Sequence, residues 1–191
     1  PARVGVGWEL GDSGSAVPPA LLERAITRFY DAAFPHRAAA RAPASHLSLR
    51  VVVKEPDAAL QLGVSEAYRL DIPAAGYHTG ANITLTAVNQ IGVFRGLETL
   101  AQLVVFDFNS ASYSVPHTPV QIDDSPRFPH REVLMDSARH WLPVPVIRQL
   151  LGAMAINKFN TLHWHLVDLQ SFPFIAPRAP ELARAAAFSA Q

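Results

Sequence analysis

A chain of 191 residues has room for one good domain, or for one small domain and part of another. Its 49% hydrophobic and 17% charged content fits a folded globule, and 16 Lys+Arg against 16 Asp+Glu leave no basic field for nucleic acid or anionic membrane. Cysteine is absent, which removes disulfide scaffolds, thiolate metal sites and a cysteine nucleophile together.

The chain opens at Pro1 with no initiator methionine, basic leader or apolar leader, so a mature or trimmed product is expected. No run approaches the roughly 18 apolar residues of a membrane span. The first helix follows a proline pair in "PPALLERAITRFYDAAF", where Leu22, Ile26, Phe29 and Ala33 recur at helical spacing until Pro35.

From Leu47 the period changes to two. "LSLRVVV" sets Leu47, Leu49, Val51 and Val53 on one side, Pro56 and Gly63 bracket a connector, and "AYRLDI" reads as the next strand. In "NITLTAV", Ile83, Leu85 and Ala87 face one way and Asn82, Thr84 and Thr86 the other. Such short one-sided strands suggest an open sheet covered on one face by helices. The triplet Asn82-Ile83-Thr84 is also a glycan acceptor if the protein is exported.

Helical spacing returns in "GVFRGLETLAQLVVF" with Leu97, Leu100, Ala101 and Val104. Gly96 there costs about 1 kcal/mol of helix propensity, so it marks either the first turn or a close approach to the sheet. Arg95 and Glu98 are expected to form a solvated or interdomain pair, and Asp123 with Asp124 a turn. Residues 1–118 thus read as an α+β domain, a sheet covered by two helices.

After "DDSPRFPH" the pattern becomes strand, loop, helix, strand, then a short helix in "APELARAAAF". "REVLMD" and "FNTLHWHLV" are expected as parallel strands, and "PVIRQLLGAMAINK" as a helix with Ile147, Leu150, Leu151 and Met154 on one face. Trp141 and Trp164 can stack on a sugar ring but read better as core.

Two groups of residues in residues 119–191 carry chemistry. His163 and His165 project to the same face of a strand and, with Asp168, could seed a zinc site; polar groups lining a cavity are the simpler reading. Arg139 and Asp168 each follow a parallel strand, in loops at the edge where open α/β sheets and β/α barrels place ligands. A guanidinium fork suits vicinal hydroxyls or a carboxylate; the competing reading is a salt bridge locking two loops. Asp136, at the end of the first strand, can accept from Arg139 or from loop amides.

The blocks "YRLDIP", "GVFRGLETLAQLV", "DSPRFPHR", "LMDSARHWLP", "MAINKFNTLHWHLVD" and "QSFPF" together resemble the family 20 β-N-acetylhexosaminidases. The resemblance implies a small α+β domain followed by a (β/α)8 catalytic barrel, of which residues 119–191 are the first two β/α units. It implies that Arg139 hydrogen-bonds hydroxyls of a terminal N-acetylhexosamine, that Asp168 supports a histidine from a later barrel segment, and that His165 lies near the pocket. The family's acid/base glutamate and the aspartate before it belong to the fourth barrel strand, where the substrate's acetamido group serves as nucleophile with retention of configuration. Neither they nor any metal or cofactor can be assigned here.

A (β/α)8 barrel takes about 250 residues. The chain is therefore expected to accompany a companion chain or the remaining barrel segment of one parent protein, in a dimer or larger assembly, and not to catalyse alone. The resemblance suits a lysosomal, vacuolar or extracellular location. Leu169 stands where many relatives have a second aspartate, and Glu132 where they have glycine. These departures motivate the alternative of a non-catalytic structural or carbohydrate-binding derivative of the same fold.

Overall fold

The computed structural model describes residues 5–10, 20–36, 48–56, 58–59, 61–74 and 82–187, with backbone alone for 5–10 and 82. It divides into two compact units, Pro1–Arg127 and Phe128–Gln191.

The first unit is a five-stranded sheet with two helices. β1 (Gly5–Leu10), β2 (Ser48–Glu55) and β4 (Asn82–Asn89) run parallel, while β3 (Tyr68–Ile72) and β7 (Val120–Asp124) complete the order β1-β2-β4-β3-β7 by antiparallel pairing. Alternation along each strand sends Leu49, Val51, Val53, Leu70, Ile83, Leu85 and Ala87 into one core with α1 (Ala20–Ala33) and α2 (Gln90–Leu103). Each fully buried leucine there contributes about 1.5–3 kcal/mol. Leu22, Phe29 and Ala33 of α1 are buried as their spacing predicts, with Ala25 buried and Ile26 packed at the margin. Leu47 lies outside the described residues.

Several local expectations change. β7 pairs with β3, so Asp123 and Asp124 belong to a strand and not to a turn, and the first unit ends later than residue 118. Asp124 accepts from the Tyr68 hydroxyl at 2.8 Å, and Asp123 from Arg69 at 3.2 Å. α2 starts earlier than its apolar stripe suggests, because Asn89 Oδ1 accepts the Ile91 and Gly92 amides at 2.9 and 3.4 Å. It stops at Leu103, where the β-branched pair Val104 and Val105 turns extended into the hairpin β5 (Val105–Asp107) and β6 (Ser112–Ser114). Gly96 resolves as a close approach: a Cβ there would run into the Leu85 and Tyr68 side chains. Arg95 and Glu98 do not pair with each other. Arg95 Nε meets Glu66 at 2.6 Å and Glu98 meets Arg28 at 2.6 Å, both joining elements within the first unit.

The second unit contains β8 (Glu132–Asp136), α3 (Val144–Ile156), β9 (Thr161–His165) and α4 (Pro180–Ala186). β8 and β9 are parallel, in a two-stranded sheet. Their N-terminal ends are tied by Asn160, which accepts the Arg131 amide at 3.0 Å and donates to Pro129 O at 2.8 Å, and by the Arg131 guanidinium on Lys158 O at 2.8 Å. Among its described residues apolar burial is limited to Met135, Ala138, Met154 and Ala183. Leu134 on β8 is 56% exposed, and Leu151, expected on the buried stripe of α3, is exposed while Met154 is covered. A parallel pair with one open face is the state of an unclosed (β/α) barrel. Trp141 and Trp164, read as core, are exposed as well: Trp141 lies in the loop after β8, and Trp164 sits on the face of β9 opposite to that of Leu134, where cover among the described residues is incomplete.

Candidate functional site

Parallel pairing sets Asp136 beside His165 as register partners, so the two strands end level and their following loops emerge together. The Ser137 amide bonds His165 O at 3.1 Å and carries the ladder one step past the strands. Because side chains alternate, Glu132, Leu134 and Asp136 share a face with Thr161, His163 and His165, while Met135 and Trp164 take the other. Trp164 donates its indole N–H to Ser137 Oγ at 2.8 Å.

At the C-terminal ends four groups converge. Asp136 Oδ1 accepts the Ala138 and Arg139 amides at 2.9 and 3.1 Å, a local turn that brings the arginine back over the strand end. Asp136 Oδ2 then accepts from Arg139 Nε at 2.5 Å. Asp168 Oδ2 lies 3.7 Å from the same Nε, within ion-pair range, and takes a hydrogen bond from His165 Nε2 at 2.9 Å. Asp168 Oδ1 accepts the Leu169 amide at 2.6 Å, and the loop closes through Asp168 N–H to Ser171 O at 2.9 Å. Arg139, Asp168 and His165, singled out in the sequence, are thus brought together, and Asp136 joins them as the closest partner of Arg139. Its signal in the sequence was an aspartate at a strand end three residues before an arginine.

The histidines separate in role. His165 turns to Asp168, whereas His163 Nδ1 meets Glu132 at 3.2 Å, and Glu132 also meets His130 at 3.1 Å. Among the described residues no group of three or more His, Asp or Glu side chains is gathered as a metal ion would require. The Glu132 carboxylate thus has a histidine within hydrogen-bond distance on each of its oxygens. Leu169 is 98% exposed at the loop tip. Asn82 opens β4, but its side chain lies outside the described residues.

The electrostatics follow from these contacts. The Asp136 hydrogen bond, with the charge attraction behind it, raises Arg139 further above its already high range. Burial works to raise the Asp136 carboxyl, but the Arg139 amide, the guanidinium and the Ala138 amide together hold it below the usual carboxylate range. The His165 hydrogen bond lowers Asp168, burial opposes it, and the Leu169 amide and the Arg139 charge add to the lowering. Both aspartates therefore favour the folded loops above the unfolded carboxylate pKa of about 3.9, and that contribution is lost as pH falls through the lower folded values. Protection of the Ala138, Arg139 and Leu169 amides, taken relative to the intrinsic exchange rate at each pH, should hold from neutral pH to about 4 and fall below it. Loops opening first near pH 6 would contradict this.

Two family profiles match the chain, one on each unit: "beta-acetyl hexosaminidase like" over residues 13–103, and "Glycosyl hydrolase family 20, catalytic domain" over residues 128–191. Beta-hexosaminidase subunit B2 of Dictyostelium discoideum is 38% identical over 85% of this chain and 28% of its own length. The X-ray structure of Flavobacterium johnsoniae chitobiase superposes with a TM-score of 0.75 at 28% identity, over 97% of this chain and 27% of that one. A mutant Streptomyces plicatus β-hexosaminidase in complex with the product GlcNAc is 26% identical with a TM-score of 0.56, over 89% of this chain and 32% of that one. The chain spans about a third or less of each protein it matches here, and its residues 128–191 are a partial catalytic domain without an assignable acid/base. With both of its units matched in family order, the chain belongs to glycosyl hydrolase family 20.

Proposed function

We propose that this chain is the N-terminal part of a β-N-acetylhexosaminidase that removes terminal β-linked N-acetylglucosamine or N-acetylgalactosamine from glycans or chitooligosaccharides. The observation that carries the reading is the Arg139 fork at the C-terminal end of two parallel strands. Asp136 occupies Nε, and the two terminal nitrogens have no protein partner among the described residues. Arginine presents five N–H donors in one plane, so the pair left over matches two adjacent ring hydroxyls. Asp168, held by His165, fixes the second loop against that fork and keeps acceptor capacity for a group from the remaining barrel.

In this reading the acid and the aspartate that steadies the acetamido group come from the rest of the parent protein, and hydrolysis proceeds with retention through an oxazolinium-like intermediate. The open face of β8 and β9 is covered by those later strands, from the same chain or a companion, in a dimer or larger assembly. The contacts of Glu132 with His130 and His163 favour a working enzyme over a decayed scaffold, since its carboxylate has hydrogen-bond partners on the spot and need not distort the pocket. The sequon at Asn82 supports a lysosomal, vacuolar or extracellular setting, with Asn82 as acceptor.

The test is hydrolysis of a chromogenic β-N-acetylglucosaminide by the full-length protein, with product configuration read by NMR. Release of the β-anomer first is expected. A folded protein with no turnover above blank would reject the enzyme reading, and an α-anomer product would reject the retaining chemistry.

A further inference from the structure

We propose that Asp136 is a positioning residue of the sugar pocket: it sets the roll of the Arg139 guanidinium so that its two terminal nitrogens, and not Nε, face the substrate. The inference rests on the assignment of Arg139 to sugar binding given above and concerns what aims that side chain.

The geometry gives Asp136 this role over Asp168. Arg139 is a long side chain with 53% of its surface in solvent, and packing alone does not choose among its rotamers. One contact at hydrogen-bond distance fixes the plane of its fork, the 2.5 Å bond from Nε to Asp136 Oδ2. Asp168 Oδ2, at 3.7 Å, is close enough to attract the charge and too far to orient a donor. Asp136 can act as a fixed reference because it does not itself swing. Its backbone is in β8, its side chain is 16% exposed, and its other oxygen is clamped by two loop amides.

A guanidinium held at Nε is left with one direction of approach for its remaining N–H groups, and the fork is arranged before substrate arrives. The same arrangement matches the chemistry of the ligand. Two carboxylates within 4 Å offset the single arginine charge, so the fork is suited to neutral hydroxyls and has little surplus attraction for a carboxylate or sulfate.

Asp136→Asn separates orientation from the turn, because the amide oxygen can still accept the Ala138 and Arg139 N–H groups while the anionic acceptor for Nε is gone. In the full-length protein, Asp136→Asn should lower kcat/KM for the chromogenic substrate by about 10- to 100-fold, chiefly through KM, with the melting temperature close to wild type. In an Arg139→Ala background the same change should cost less than about twofold, since its effect passes through the arginine.

Wild-type kinetics for Asp136→Asn, or a full-sized loss that persists in the Arg139→Ala background, would overturn the positioning role while leaving the sugar-binding reading intact. Wild-type kinetics for Arg139→Ala itself would overturn the underlying reading and this inference with it. Arg139→Lys decides the question if Asp136→Asn does not fold. Lysine keeps the charge beside Asp136 without a fork and should be about as impaired as alanine; near-normal activity would show that charge alone suffices and sink the proposal.

Discussion

Arg139→Ala in the full-length protein should reduce kcat/KM by roughly 100- to 1000-fold, because on the proposed sugar-binding role two charged hydrogen bonds are lost at once. On the proposed mechanism the loss should appear in both KM and kcat, since a sugar that is free to tilt also presents its glycosidic oxygen poorly to the acid supplied by the rest of the parent protein. The fold should survive. Asp136 keeps its two loop amides and Asp168 keeps His165 and the Leu169 amide when the guanidinium is removed. The competing reading of Arg139 is a salt bridge whose only task is to lock two loops, and it predicts the reverse pattern. Stability would fall and kinetics measured well below the melting temperature would be untouched. Steady-state kinetics alongside thermal unfolding of the same preparation separates the two.

Much of this site follows from topology that can be read in the chain. Apolar runs joined by a helical stretch imply parallel strands, and parallel strands put Arg139 and Asp168 in neighbouring loops before any distance is known. The hydrogen bond of Asp168 to His165 needs only a loop that doubles back three residues. The dominance of Asp136 over Asp168 as the partner of Arg139 is a different matter. It depends on the turn angles of residues 137 and 138, and nothing in composition or period reports them. In the first unit, alternation along β2 and β4 identifies the core face without help, because one face is fully covered by helices. The same logic misassigns Trp141, at 82% exposure, and Trp164. An apolar residue is buried only where something covers it, and among the described residues little covers either tryptophan. The helix end at Leu103 and the strand at Asp123 and Asp124 were hidden for a third reason. Both depend on pairing with distant residues, Ser114 in one case and the β3 strand in the other.

Arg95 and Glu66 carry the largest stability effect expected in the first unit. Their side chains are 11% and 6% exposed and meet at 2.6 Å, joining α2 to the segment that leads into β3. Taking two charges out of water is costly, so the intact pair adds little net stability, but removing one member takes the opposite charge at 2.6 Å away from the other in a low-dielectric site. Arg95→Ala should therefore destabilise this unit by about 3–5 kcal/mol, read as a lower urea midpoint at unchanged slope. The neighbouring pair provides an internal comparison: Arg28 is 49% exposed against Glu98, and Arg28→Ala should cost no more than about 1 kcal/mol. Replacing both members of the buried pair with apolar residues of similar length, Arg95→Met with Glu66→Leu, should recover most of the loss, since no charge then remains to be solvated. If the double replacement is as unstable as Arg95→Ala, the cost lies in lost packing and not in the loss of the charge opposite Glu66. In that case the contact between α2 and the strand edge is held by shape, and the ion pair is incidental to it.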